Sequence, residues 1–301
     1  MDEKTRDRDG RERHRRQAKE AAAVPAPPRG GRLKIALMDV GIGLLAAAAA
    51  VRRLRPDADL VLSSDPDGMP WGPRTPQDVT ARALTVAEAA VAQRPDALIV
   101  ACNTASVHAL TALRDRLGPD LPVIGTVPAI KPAAADGGPI AVWATPATTG
   151  SAYQRGLIEE FAPEMSVTEV ACSGLSDAVE YADEAAIGRA VATAAARTPH
   201  EVKAVVLGCT HYELVAPHIR AALQHPDRPK LALHGSAEAV AAQALRRIGE
   251  RPAPEAPADG GLTVILSGRK SELPAAALRY DEGRRLRAAG PVVRREVVHE
   301  R

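Results

Sequence analysis

Short, nearly unbroken apolar runs alternate along this chain with longer stretches that are alanine-rich or amphipathic. "KIALMD" precedes the alanine run Ala46 to Ala50, and "DLVLSS" precedes a loop and a helix expected from near Pro76. "DALIVA" leads into a helix expected from about Ser106, and "LPVIGT" closes the set. The second half repeats the habit with "PIAVWAT", "SVTEVAC", "KAVVLG" and "KLALHG". Runs of this kind fit strands buried on both faces, and their alternation with helical stretches predicts parallel sheets covered by helices. The expected fold class is α/β: two similar lobes, mainly parallel in their sheets, with a site in the cleft between them. Pro128, Lys131, Pro132 and "DGGP" (Asp136 to Pro139) mark a crossing between halves, and "HPDRPK" (His225 to Lys230) precedes a return. The expected first lobe is therefore 32–127 plus 232–275, and the second 128–231.

The ends read differently. Residues 1–31 interleave charges of both signs and finish in "VPAPPRGG", a composition that cannot bury enough apolar area to offset its ordering entropy, so a disordered tail is expected. Residues 276–301 are arginine-rich with weak periodicity, and a partly ordered tail is expected there. The N-terminus has no apolar segment behind its arginines, and no apolar run reaches the roughly 18 residues that span a bilayer.

Composition narrows the function classes. Aromatic residues are 2% of the chain, too few for the stacking platforms that hold single-stranded nucleic acid. Lys and Arg total 39 against 37 Asp and Glu, so no large electrostatic footprint for DNA or a membrane surface is present. Met1 to Gly30 holds nine basic and six acidic residues, a net of +3, too small for strong salt-resistant nucleic-acid binding. A small, mixed-charge ligand is the natural partner. Three cysteines, Cys102, Cys172 and Cys209, are too few and too widely spaced for a disulfide framework, and reduced thiols fit a cytoplasmic protein.

Two of those cysteines carry the chemistry. In open parallel sheets, ligands bind beyond the carboxyl ends of the strands, where helix N-termini present backbone N–H groups. Asp39 follows "KIALM", Cys102 follows "ALIVA" and Cys209 follows "AVVLG", each ahead of small or polar residues. Cys172, with no charged neighbour in sequence, reads as a small buried hydrophobe. Cys209 and His211 admit a zinc reading, but no paired C-x-x-C or H-x-x-x-H supports it. They also admit a hydrolase nucleophile with its base, although residues i and i+2 rarely face each other productively and Cys102 would be left unexplained. Two thiols facing across a cleft instead suggest proton transfer on both faces of one carbon. A free thiol with a pKa of about 8.5 needs an activating neighbour. His211 is the sequence-near candidate for Cys209, and Asp39 serves Cys102 if their strands lie side by side.

"ACNTAS" and "GCTHYEL" resemble the paired signatures of the cofactor-independent aspartate/glutamate racemase superfamily, and most closely its members acting on glutamate. The resemblance continues through "MDVGIGLL", "MPWGPRTP", "GSAYQRGL", "ACSGLSDAVE" and "GSAEAVA", covering about Leu33 to Ser267 in order. It implies a two-base 1,1-proton transfer at Cα without pyridoxal phosphate or metal, and a role in supplying D-glutamate for peptidoglycan. By resemblance Cys102 acts on the D enantiomer and Cys209 on the L enantiomer. Asp39, Glu180 and His211 match the assisting positions, and Asn103, Thr104 and Thr210 match residues that hold the amino and carboxylate groups. Trp71 and Gly72 match a Tyr-Gly pair on the loop that seats the substrate. The family commonly forms dimers.

Three departures bear on the pocket. Where the family usually reads Asp-Ser-Gly-Val-Gly-Gly, this chain reads Asp39, Val40, Gly41, Ile42, Gly43, Leu44, so an apolar branch replaces a substrate-facing hydroxyl. Trp71 stands for the usual Tyr, and Gly235-Ser236 for the usual Asp-Ser. Val40 and Trp71 motivate a second reading, a superfamily racemase or isomerase acting on another acid, such as aspartate, a hydantoin or a maleate-like compound; the arginine-rich tails motivate a third, a weakly active paralogue with a regulatory role whose tails contact a partner.

Overall fold

The computed structural model describes residues 31–227 and 229–288, so the tail expected over 1–31 lies outside the described residues except for Gly31, as does the C-terminal stretch beyond 288. The strands are β1 (Lys34–Asp39), β2 (Asp59–Ser64), β3 (Ala97–Val100), β4 (Val123–Gly125), β5 (Ile140–Ala144), β6 (Val167–Ala171), β7 (Ala204–Leu207), β8 (Ala232–His234), β9 (Leu262–Leu266) and β10 (Arg269–Ser271). The helices are α1 (Leu45–Leu54), α2 (Pro76–Val91), α3 (Asn103–His108), α4 (Leu110–Leu117), α5 (Ile130–Ala135), α6 (Ala152–Phe161), α7 (Leu175–Glu180), α8 (Glu184–Ala195), α9 (Thr210–Glu213), α10 (Ala216–Leu223), α11 (Ala237–Arg247) and α12 (Asp281–Ala288).

They build two sheets, ordered β10-β9-β2-β1-β3-β4 and β6-β5-β7-β8. Every pairing is parallel except that of the edge strand β10 with β9. β1, β2, β3, β5 and β7 are buried along nearly their whole length, as expected for parallel sheets covered on both faces. Each fully buried Leu, Ile or Val of these strands contributes about 1.5–3 kcal/mol by leaving water.

Sequence chemistry accounts for the helices. Ala has the best helix propensity, and the small side chains of α1 are buried nearly all round, letting it lie between the first sheet, α11 and α12. Thr75 caps α2 by accepting from the Asp78 N–H, with Pro76 in the first turn, and Ser151 and Asp183 cap α6 and α8 in the same way. α2, α3 and α4 cover one face of the first sheet, and α5 packs on the second. The largest core cluster runs without interruption from α1 and β1 of the first lobe to α7, α8 and β7 of the second.

Two details differ from the sequence expectation. β8 pairs with β7, so 232–234 belong to the second sheet and the return to the first lobe comes after His234 rather than at residue 232. β9 and β10 were not expected, yet β9 extends the first sheet beside β2. The segment after residue 275 forms a 3-10 turn (Ala277–Arg279) and α12, burying Ala277, Tyr280 and Leu286. The return itself is fastened by Glu213, whose carboxylate accepts from Ser236 N, Ser236 Oγ and Ala237 N at 2.8, 3.0 and 3.2 Å, capping α11. A Cβ on residue 235 would lie 2.3 Å from Glu213 Oε2, which explains the glycine there. Among the described residues no helix is long and apolar enough to cross a membrane.

Candidate active site

The two sheets place their cysteines equivalently. Met38 of β1 pairs with Val100 of β3, two residues before Cys102, and Trp143 of β5 pairs with Leu207 of β7, two residues before Cys209. In each lobe the chain leaves the central strand in one direction and returns on its other side, so both cysteines stand at a topological switch point. Cys102 (φ −145°, ψ 120°) and Cys209 (φ −139°, ψ 136°) are each the last extended residue before a helix. α3 thus begins at Asn103, directly after its cysteine, and not near Ser106. Both cysteines line one cavity of about 340 Å³ together with Asp39, Val40, Trp71, Gly72, Asn103, Thr104, Thr210 and His211.

Around Cys209 the chemistry is that of a thiol and an imidazole. Its Sγ lies 3.8 Å from His211 Nδ1, so the i, i+2 pair does meet: an extended cysteine followed by the first turn of α9 turns both side chains to one side. His211 Nε2 lies 2.9 Å from Glu180 Oε2, and that carboxylate oxygen also accepts from the Ile42 N–H at 2.8 Å. Burial alone would lower the His211 pKa, but its hydrogen bonds to Cys209 and Glu180, with the Cys209 and Asp39 charges, outweigh it and hold the imidazolium well above its usual range. Glu180 does not line the cavity; it stands behind His211 and fixes the ring.

Around Cys102 the neighbour is a carboxyl group. Asp39 is fully buried at the end of β1, beside β3, where its carboxylate and the Cys102 thiol lie close enough to shift each other's titration. Burial pushes Asp39 up to about 6, opposed by His211 and by the Cys102 and Val40 hydrogen bonds. Burial and the Asp39 charge push the Cys102 thiol well above its usual range. Asp39 Oδ1 accepts from Val40 N at 2.7 Å and Oδ2 from Thr210 Oγ1 at 3.3 Å, a contact that crosses between the lobes.

The glycines of "VGIG" meet the polar side chains gathered around the two cysteines. A Cβ on residue 41 would sit 2.1 Å from Glu180 Oε2, and one on residue 43 would sit 2.3 Å from Asp39 Oδ2, 2.5 Å from Thr210 Oγ1 and 2.6 Å from His211 Nδ1. Only hydrogen at these two positions lets the acidic, hydroxyl and imidazole groups converge.

The remaining predicted residues form the walls. Asn103 Nδ2 donates to Gly208 O at 2.7 Å, again across the lobes, and leaves its Oδ1 buried without a protein partner, an acceptor suited to an ammonium group. Thr104 is partly exposed on the lining, and Val40 presents its branch there. Trp71 is buried, its Nε1 donating to Asp65 Oδ2 at 3.1 Å, while Gly72 faces Ala147 of the second lobe. Sequence reasoning missed Asp65, which also holds Arg82 at 3.1 Å and Ser267 at 3.4 Å, and missed the second-lobe lining residues Thr145, Thr148 and Ser173. Thr145 directly follows β5, and that position was the available signal.

Cys172 is buried, absent from the cavity lining, and pushed by burial up to about 12. Among the described residues no three His, Cys, Asp or Glu side chains are grouped to hold a metal ion. Among the described residues no Lys or Arg lines the cavity, and its polar lining includes the hydroxyl residues Thr104, Thr145, Thr148 and Thr210.

The family model described as Asp/Glu/hydantoin racemase matches residues 44–244. The chain is 38% identical over 222 residues to a glutamate racemase of Granulibacter bethesdensis, covering 70% of this chain and 77% of that one. It is 37% identical over 212 residues to a glutamate racemase of Aliivibrio fischeri, covering 69% and 78%. Its fold matches Escherichia coli glutamate racemase, solved with L-glutamate and the activator UDP-MurNAc-Ala, at a TM-score of 0.71 and 25% identity over 86% of this chain and 96% of that one. A glutamate racemase isoform from Bacillus anthracis matches at a TM-score of 0.63 and 25% identity, covering 79% and 89%. The chain belongs to the Asp/Glu/hydantoin racemase family and is an amino-acid racemase.

Proposed function

We propose that this racemase interconverts L- and D-glutamate by a two-thiol proton transfer, Cys209 serving the L enantiomer and Cys102 the D enantiomer. The observation that carries the reading is the equivalent placement of two cysteines on one cavity, each beside its own titratable partner. Relatives named glutamate racemase, and a fold match solved with L-glutamate, support that substrate. D-glutamate is a peptidoglycan precursor, and three free cysteines suit a cytoplasmic enzyme making it.

In the L to D direction the Cys209 thiolate, paired with the His211 imidazolium, removes the Cα proton. The Cys102 thiol delivers its own proton to the opposite face, leaving a Cys209 thiol and a Cys102 thiolate. The D to L direction starts from that product form and runs in reverse, and exchange through His211 and Asp39 resets the pair between turnovers. Asn103 Oδ1 accepts from the substrate ammonium, while the hydroxyls of Thr104 and Thr210 and the backbone N–H groups that open α3 and α9 receive carboxylates.

The test is incubation of the purified protein with L-glutamate in D₂O without added cofactor. Deuterium at Cα and accumulation of D-glutamate are expected, and a lack of both overturns the reading. Val40 on the lining favours one second reading, that the preferred acid differs from glutamate. Rates over a panel of aspartate, glutamate and hydantoins separate the two.

A further inference from the structure

The C-terminal segment reaches the catalytic relay through one phenol. Tyr280, buried between the last 3-10 turn and α12, donates from its hydroxyl to the Val179 carbonyl at 2.6 Å. Val179 precedes Glu180 in the final turn of α7, and Glu180 is the group that holds both His211 Nε2 and the Ile42 N–H. α7 has few means of fixing itself. It is six residues long, begins after a left-handed Gly174 (φ 71°) with no side-chain cap, and is followed by Ala182 in the same unusual region (φ 51°). A helix so short takes its placement from outside contacts.

The segment carrying Tyr280 is itself firmly seated. Ala277 and Leu286 lie in the core cluster that includes α1, and α12 packs directly on α1 of the first lobe. A Cβ on residue 283 would fall 2.0 Å from the Ala277 carbonyl oxygen, so α12 closes tightly over the 3-10 turn. The phenol is therefore a strut from the first lobe to the second-lobe helix bearing Glu180. The acidic groups facing it are Glu180 and Glu184.

We propose that Tyr280 is a positioning residue for the Glu180, His211 and Cys209 relay, setting the depth of the last turn of α7 and thereby the contact between imidazole and thiol. This rests on the racemase reading above. Without the hydroxyl, the Val179 carbonyl loses its donor from the C-terminal segment and keeps only those of its own turn, among them the Ala182 N–H at 3.0 Å, so that the last turn of α7, and Glu180 with it, can shift relative to His211.

The test compares Tyr280→Phe with Leu286→Ala, which loosens the same segment but keeps the hydroxyl. For Tyr280→Phe, kcat is expected to fall roughly tenfold with KM changed less than about twofold, since small misplacements of catalytic groups act on rate. In a Cys102→Ser, Cys172→Ser background, where Cys209 is the remaining thiol, Tyr280→Phe is expected to slow alkylation of Cys209 by iodoacetamide several-fold at neutral pH. Leu286→Ala is expected to lower Tm while leaving both readouts near the parent value. The proposal is overturned if Tyr280→Phe leaves kcat and alkylation unchanged, or if Leu286→Ala reproduces both effects. Failure of the racemase reading is separate: the parent enzyme would then not racemise, whatever the alkylation rates.

Discussion

The two cysteine loops share a backbone and differ in every helper. Both thiols end a strand at a switch point, both precede a helix, and both reach the same cavity. At the position where the first lobe has Asp39, the second has Ala144, and two residues beyond each cysteine stand Thr104 and His211. Burial and the Asp39 charge push the Cys102 thiol up, whereas Cys209 stands beside the imidazolium of His211. Repeated geometry thus brings two thiols to one cavity, and unequal neighbours give the two sulfurs different electrostatic surroundings.

Replacing either sulfur tests the shared geometry most severely. Cys102→Ser and Cys209→Ser should each lower racemisation by roughly a thousandfold or more, since each removes an acid and a base in turn. The Cys102→Ser enzyme should still exchange the Cα hydrogen of L-glutamate in D₂O, and Cys209→Ser that of D-glutamate; NMR of each enantiomer reads this out. Equal exchange of both enantiomers by one variant would break the assignment of faces.

The unequal neighbours come next. His211→Asn should reduce kcat about a hundredfold, because the Cys209 sulfur loses the imidazole that stands 3.8 Å from it. Thr104→Ala, at the matching place on the other side, should change kcat far less. Steady-state rates across pH distinguish the two.

Asp39 provides a narrower handle. Its pKa is raised to about 6, so it is a carboxylate above that value and gains a proton below it. kcat/KM should therefore decline as pH falls through about 6, as the acceptor of the Cys102 thiol is lost, and Asp39→Asn should lack that acid limb. The smallest effect belongs to the wall: Val40→Ser restores a hydroxyl and should lower KM for glutamate by a few-fold, in line with about 1 kcal/mol for one hydrogen bond.

Much of this was legible before any coordinates. Strands buried on both faces announce themselves as apolar runs, so eight of the strands, the two lobes and the strand-end cysteines followed from pattern, position along the chain suggested Asp39 and His211 as neighbours of the thiols, and the family resemblance added Glu180, Asn103, Thr104 and Thr210. β9 escaped because its partner β2 lies some 200 residues earlier, and no local pattern reports such a pairing. The C-terminal stretch was expected to be partly ordered, but its arginines, all exposed in α12, hid which residues face inward: Gly283 and Leu286. Asp65 is a polar residue in a turn until the fold brings Trp71, Arg82 and Ser267 to it. The i, i+2 meeting of Cys209 and His211 depends on a change from extended to helical backbone between them, which spacing alone does not convey.

The first sheet is interrupted in sequence by the entire second lobe, and this governs how the chain emerges from the ribosome. β2 must wait with one edge unpaired until Leu262–Leu266 has been synthesised. During that interval the nascent N-terminal half is open to mispairing with other chains, and the edge is closed only when nearly all of the described residues have been made. Truncation upstream of β9 should accordingly yield aggregates, even though every residue lining the cavity would be present.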